Sequence, residues 1–272
     1  MNTPVWLIES GVFGSDADSL VKELRRQKIP CGSVAHRELV KDGPPIPPGE
    51  CVIVYGTYPF VRHAQLHAGW IPGAWLDPDT FDCTTYAPHF GAFLLNARHE
   101  ILRGVDAIRD ADRLFAAFGP NDEVFARPTG VHKLFVGRCI FRDDWATALA
   151  PTRYDPDTNV LVAEPREIGQ EWRLVVVGSE IVSACRYAVN GRKEFEPGCP
   201  PDVLGFAGRL LAAVPWRPAD VFVLDVCESD GEFRVVEINP FETSGLYLGD
   251  LEAIVRQVSR AASEAWARAQ PS

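Results

Sequence analysis

FVLDVCESDGEFRVVEINP, residues 222–240, sets Asp225, Glu237 and Asn239 into two runs that otherwise read as buried β-strand. Each run is apolar and rich in β-branched residues, and Ser229, Asp230 and Gly231 supply a turn, so the stretch reads as a β-hairpin. Side chains alternate across a strand, which gives Glu237 and Asn239 one face and Val236 and Ile238 the other. The place of Asp225 depends on the turn. A two-residue Asp230-Gly231 turn sets it opposite Val236, on the wrong face, whereas a three-residue loop ending in a bulge sets it opposite Glu237.

In the second register two carboxylates and an amide oxygen converge at cross-strand spacing, about 5 Å between facing Cβ atoms. Carboxylates that close repel; a hard cation relieves the repulsion, and an all-oxygen set suits Mg²⁺. Mg²⁺ keeps waters and favours substrate phosphates, so a site with few protein oxygens points towards a nucleotide. The alternative is that Asp225 and Glu237 face solvent at a sheet edge or pair with Arg or Lys.

The rest of the chain bounds what such a site serves. Of 272 residues, 46% are hydrophobic and 24% charged, the balance of a globular protein with room for one large or two modest domains. No apolar run reaches the ~18 residues needed to span a membrane, and no basic segment followed by an apolar one opens the chain, so a cytoplasmic protein with no membrane partner is expected. The seven cysteines are scattered and never two residues apart, which argues against a zinc cluster or a disulfide framework. A net charge of −10 discourages nucleic acid as a partner and fits small polar substrates better.

Residues 5–9 (VWLIE), 31–35 and 51–55 (CVIVY) read as strands, with an amphipathic helix over 17–28 that turns Leu20 and Leu24 inward. With the helix carrying FVRHAQLHAG they make the first ~95 residues a small α/β domain, and residues 93–118 read as mainly helical. From residue 124 strands joined by tight turns take over, then a helix near 202–213, the opening hairpin, and a last helix from Asp250 to about Ala267. The expected division is 1–95 and 96–272.

Three further segments carry chemistry. VFARPTGVHKLFVGRCIF reads as strand, basic glycine-containing loop, strand, and Arg127, Gly130 and Lys133 are the material of a phosphate site or of a solvated hairpin. In EWRLVVVGSEIVSACRY, a Gly178-Ser179 turn sets Arg173 opposite Ala184 and Glu171 opposite Arg186, with Glu171, Arg173 and Arg186 on one face; Trp172, Leu174, Val176, Ile181 and Cys185 form the other. Arg is shaped to hold a phosphate or carboxylate bidentately, although Glu171 and Arg186 also suit a simple cross-strand ion pair. NVLVAEPREIG is an apolar strand running into Glu164 and Pro165, an arrangement that could offer backbone groups to an adenine edge but that many strand ends share.

In order, a basic hairpin, an apolar strand ending in an acidic hinge, Glu-x-Arg opening a hairpin that an Arg closes, then Asp on one strand and Glu-x-Asn on the next resemble the ATP-grasp superfamily. The resemblance runs from about residue 96 to the C-terminus and is most specific in FVLDV and VVEINP. PGAWLDPDTFDCTTY and FLLN look similar to a small bacterial and phage branch in which the ATP-grasp unit follows a short α/β domain. It implies a small pre-ATP-grasp-like α/β domain followed by an ATP-grasp fold of two α+β subdomains with ATP between them. Arg127 and Lys133 would lie near the phosphates, Val162, Ala163 and Glu164 would form the hinge against adenine, and Glu171 would take the ribose. Asp225, Glu237 and Asn239 would hold Mg²⁺, and Arg173 or Arg186 would steady the transferring group or acceptor. The family places Lys where Arg127 stands; Lys193 would compensate.

The chemistry implied is attack of a carboxylate on the γ-phosphate of ATP, then capture of the acylphosphate by an amine, giving an amide, ADP and phosphate. The partners would be small-molecule or peptide carboxylates and amines. Rival readings are a phosphotransferase on the same scaffold, an ATP-binding module without turnover, and a metal-dependent hydrolase built on His63 and His67, spaced i and i+4 on a helix. Ser244 and Tyr247 are candidates for the acceptor pocket.

Overall fold

The computed structural model describes residues 3–270 and contains three sheets, each from a continuous stretch of chain. The first is parallel. It comprises β1 (Val5–Glu9), β2 (Cys31–Val34), β3 (Cys51–Tyr55) and β4 (Ile71–Gly73), in the order β2-β1-β3-β4. The intervening helices are α1 (Ser15–Arg26), α2 (His36–Asp42) and α3 (Tyr58–His67), and α4 (Cys83–Phe90) follows. Parallel neighbours need crossovers, and these helices cover the sheet: Leu39, Phe60, Val61 and Ala64 pack on Leu7, Val52 and Val54.

The second sheet is antiparallel and contains β5 (His99–Arg103), β6 (Glu123–Pro128), β7 (Arg138–Phe141) and β8 (Asn159–Ala163), ordered β5-β8-β6-β7. Helices α5 (Gly104–Arg109) and α6 (Ala111–Phe118) pack on one face with α7 (Trp145–Ala148), around Leu114, Phe115 and Trp145. Of the segment 93–118, expected to be mainly helical, Gly104–Arg109 and Ala111–Phe118 are helices, but His99–Arg103 is a strand, because it pairs with β8 over its whole length. Tertiary pairing overrides a weak local pattern in so short a segment.

The third sheet, β11-β10-β9-β12-β13, is antiparallel and buried on both faces at its centre. Its strands are β9 (Gln170–Val177), β10 (Glu180–Val189), β11 (Arg192–Pro197), β12 (Val221–Ser229) and β13 (Glu232–Pro240), with α8 (Pro201–Ala213) before β12 and α9 (Leu251–Ala269) closing the fold. Trp172, Leu174, Val176, Phe222 and Leu224 pack on α8 and α4. From the opposite face Val175, Val177, Val221 and Val223 meet α9 and the first sheet's Trp6, Ile8, Ile53 and Tyr55. A strand buried on both faces reads as a continuous apolar run, so any charged residue within one must find a partner. Among the described residues no helix is long and apolar enough to cross a membrane.

Candidate functional site

The hairpin β12–β13 brings Asp225 and Glu237 face to face. The route differs from the expected one. The turn is the two-residue Asp230-Gly231 type, with both residues at positive φ (53° and 75°), and Ser229 pairs with Glu232. A bulge further along restores the facing register: Val226 pairs with Val235 and Asp225 with Glu237, leaving Val236 as the extra residue.

Asp225 is also paired with Arg173 on β9, so Arg173, Asp225 and Glu237 form one row across three strands. Arg173 grips Asp225 bidentately, Nε to Oδ1 at 2.9 Å and Nη2 to Oδ2 at 2.7 Å, and its Nη1 donates to the Gly245 carbonyl at 3.0 Å. The Asn239 amide donates to both carboxylates, at 3.1 Å to Asp225 and 2.9 Å to Glu237. Beyond Glu237 stand two more cations. Arg127 from β6 places Nη1 2.9 Å from Glu237 Oε2, and Lys133 Nζ lies 3.0 and 3.1 Å from the two carboxylate oxygens and 3.3 Å from Asn239 Oδ1. Burial pushes the Glu237 carboxyl up, but Arg127, Lys133 and the Asn239 amide outweigh it and hold the group well below the usual carboxylate range.

The second and third sheets thus meet at this row. Arg127 is buried on its strand with Nε on the Pro128 carbonyl at 3.2 Å, whereas Lys133 stands on the irregular segment 129–137. The base of that segment is pinned by Asp82, the N-cap of α4: its carboxylate accepts from the Thr129 hydroxyl at 2.9 Å, and Cys83 N–H donates to the Thr129 carbonyl at 3.0 Å. A Cβ on Gly130 would come within 3.3 Å of Asp82 Oδ2, so a side chain there would press on the capping carboxylate. Asp82 was missed as a site residue; an Asp directly before Cys-Thr-Thr at a helix start was the signal that could have found it.

The hairpin β9–β10 departs from the expected register. Val177 does pair with Glu180 across Gly178-Ser179, but a bulge at Val182 shifts the rest, so Arg173 faces Cys185, Arg186 faces Trp172, and Glu171 faces Ala188 past a second bulge at Tyr187. Two placements are corrected. Cys185 belongs to the Arg173 row, and Arg186 lies on the opposite face, bonded to Gln170 at 2.9 Å, Glu194 at 2.8 Å and Glu196 at 2.7 Å. There Arg186 lines a cavity of about 580 Å³ with Gln170, Glu194 and Glu228, and no residue of the charged row borders it. The partner of Glu171 is the Tyr187 hydroxyl, at 2.8 Å, and burial raises the Glu171 carboxyl above its ordinary value against that bond. Tyr187 and Tyr247 flank Arg173, whose Cζ lies 5.5 and 4.9 Å from their ring centroids.

The remaining candidates are dispersed. Val162 and Ala163 are buried in β8, paired on both sides; the chain leaves the sheet at Glu164, which is 3.6 Å from Arg166, and residues 164–169 connect to β9. Lys193 is exposed on the edge strand β11 opposite Ala188, and its ammonium makes no ion pair among the described residues. Ser244 is buried and donates to the Pro240 carbonyl at 2.7 Å. His63 and His67 have ring centroids 4.5 Å apart, but among the described residues no group of three His, Cys, Asp or Glu side chains has metal-holding geometry. The donor set at the row is two carboxylates and an amide oxygen, hard ligands that fit Mg²⁺ completed by water and phosphate.

The chain belongs to a family of ATP-grasp domains, the third family of its clade, whose model matches residues 55–258. Among solved structures, D-cycloserine synthetase DcsG is similar at 14% identity and TM-score 0.67, over 95% of this chain and 99% of that one. D-alanine–D-alanine ligase from Bacillus anthracis complexed with ATP matches at 10% identity and TM-score 0.63, over 98% and 100%. ATP-grasp ligase PsnB complexed with minimal precursor, Mg and ADP matches at 13% and 0.59, over 95% and 98%. At these identities the likeness establishes the ATP-grasp fold across nearly the whole chain. A comparison with curated protein sequences finds no match.

Proposed function

We propose that the protein is an ATP- and Mg²⁺-dependent carboxylate–amine ligase, acting on an amino acid or peptide and releasing ADP and phosphate. The observation that carries this reading is the charged row, in which Asp225, Glu237 and Asn239 converge with Arg127 and Lys133 at the meeting of two sheets. The neighbours support it by kind: a D-cycloserine synthetase, a ligase with ATP bound and a ligase with a minimal precursor, Mg and ADP. The reading divides the chain at about residue 95, supported by the completion of the parallel sheet at Gly73 before the antiparallel strands start at His99.

In this reading Glu237, Asn239 and Asp225 would hold Mg²⁺, which would supply charge neutralisation for the phosphates. Arg127, rigid on β6, and Lys133, on its loop, take phosphate oxygens. Residues 162–164 border the adenine, and Glu171 takes the ribose. Phosphoryl transfer asks for positioning and compensation of charge more than for a covalent nucleophile, which suits a site made of oxygen ligands and guanidinium groups. The bidentate grip on Asp225 gives Arg173 a positioning role: it orients a metal ligand and does not itself reach the acceptor. Arg186 and Lys193, on the opposite face and on the edge strand, belong to the acceptor side only if the substrate wraps the sheet edge.

Calorimetric titration of AMPPNP, with and without Mg²⁺, into the wild type and Glu237→Gln tests the site. Mg²⁺-dependent binding that weakens by about tenfold or more in the variant, with unchanged circular dichroism, is expected. Absence of binding to the wild type would remove the nucleotide reading. Given binding, hydroxylamine trapping of an acylphosphate with amino-acid and peptide carboxylates separates the ligase from a phosphotransferase.

A further inference from the structure

The three cations of the row differ in how firmly they are held. Arg173 commits all three nitrogens, to Asp225 and to the Gly245 carbonyl, and is buried. Arg127 is buried on β6, with Nε bonded to the Pro128 carbonyl. Lys133 alone stands on an irregular segment, and its side chain is 44% exposed. Yet its ammonium makes the most direct claim on the metal ligands, touching both oxygens of Glu237 and the Asn239 carbonyl oxygen, at 3.0, 3.1 and 3.3 Å.

A divalent cation bound by Glu237 and Asn239 needs these same three oxygens. Three cations face the two carboxylates of the row, so a metal ion arriving alone finds both anions already paired. A metal ion arriving with a polyphosphate brings its own negative charge and gives an ammonium somewhere else to go.

We propose that Lys133 is a displaceable counter-ion of the metal site: it holds Glu237 and Asn239 while the nucleotide is absent and moves to a phosphate oxygen when metal and nucleotide arrive together. Divalent-cation binding is thereby conditional on nucleotide. The proposal rests on the nucleotide reading above. Arg127 keeps its Nη1 contact with Glu237 and reaches phosphate through Nη2 alone, whereas Lys133 changes partner.

The test is Mn²⁺ binding, followed by electron paramagnetic resonance without nucleotide, in the wild type, Lys133→Met, Lys133→Arg and the Lys133→Met/Glu237→Gln double variant, beside calorimetry of Mg²⁺ with AMPPNP. Lys133→Met should bind Mn²⁺ alone at least about tenfold more tightly than the wild type and bind Mg²⁺–AMPPNP more weakly. Lys133→Arg should restore the dependence on nucleotide, and the double variant should lose the gained Mn²⁺ site. Equal Mn²⁺ affinity in wild type and Lys133→Met, with Mg²⁺–AMPPNP still bound by the wild type, would overturn the counter-ion role and leave the nucleotide site standing. Failure of AMPPNP to bind at all would remove both.

Discussion

Within one short stretch of chain the protein buries carboxylates in two opposite ways. Asp225 and Glu237 are each given cations, Arg173 for the first and Arg127 with Lys133 for the second. Glu242, five residues after Glu237, is given none. It is fully buried where the chain leaving β13 meets the first sheet, its Oε1 accepts the Trp75 N–H at 2.5 Å, and its Oε2 has no hydrogen-bond partner among the described residues. Burial pushes its carboxyl up to about 7, against the Trp75 hydrogen bond, while Glu237 is held well below the ordinary range. One region keeps its charge by pairing it, and the other gives its charge up. The pairing costs desolvation of Asp225, Glu237, Arg173 and Arg127, a cost that structure alone does not require, since well-packed apolar residues of similar volume often do as well.

The largest effect should come from breaking a pair where it is most buried. Asp225 is 1% exposed and Arg173 is 9% exposed. Arg173→Met strands Asp225 without a counter-charge and should cost roughly 3–5 kcal/mol in urea denaturation. Arg173→Met with Asp225→Leu should recover much of this, because an apolar pair removes the stranded charge. If the single variant lost less than about 1 kcal/mol, the pair would not be desolvated as its burial implies.

Glu242 offers the converse test. Its folded carboxyl stays protonated at pH values where an ordinary glutamate, near 4.5, has ionised. Its contribution to stability is therefore fully present below about pH 4.5 and is lost as pH rises through about 7. The loss is on the order of 3 kcal/mol at most, since each tenfold change in proton affinity is worth about 1.4 kcal/mol. Glu242→Gln, which is neutral at every pH, should flatten that part of the profile of unfolding free energy between pH 4.5 and 8. A profile identical to the wild type's would mean that Glu242 is ionised in the fold and compensated.

How much of this the sequence disclosed depends on the bulges. Asp225 and Glu237 stood out because a charged residue inside an apolar, β-branched run is legible without coordinates, and the ATP-grasp order of elements followed from such residues. The facing of the pair was legible only as one of two registers, since the bulge at Val236 carries no mark of its own; Val is as ordinary in a bulge as beside it. The same blindness misplaced Arg186 and Cys185, because the bulge at Val182 moves the residues from Ser183 to Arg186 by one and so exchanges their faces. Partners from distant elements were beyond reach for a different reason. That Asp82 would pin Thr129, that Tyr247 would cover Arg173, or that Glu242 would find Trp75 depends on contacts closed by long loops, which no local pattern encodes.

The smallest stability effect should come at the outer end of the row, and it completes the comparison. Lys133–Glu237 has the form of the Arg173–Asp225 pair, but its lysine side chain is 44% exposed against 10% for Arg173. Water screens such a pair, the loop must be ordered to make it, and Arg127 still compensates Glu237 when Lys133 is gone. Lys133→Met should therefore change the unfolding free energy by less than about 1 kcal/mol, within what exposed ion pairs contribute. A residue that contacts three oxygens of the candidate metal set yet contributes so little to the fold is free to exchange partners. A loss of roughly 3 kcal/mol or more, the scale of a broken buried pair, would instead make Lys133 a fixed part of the core electrostatics, and the distinction between fixed and displaceable cations in the row would fail.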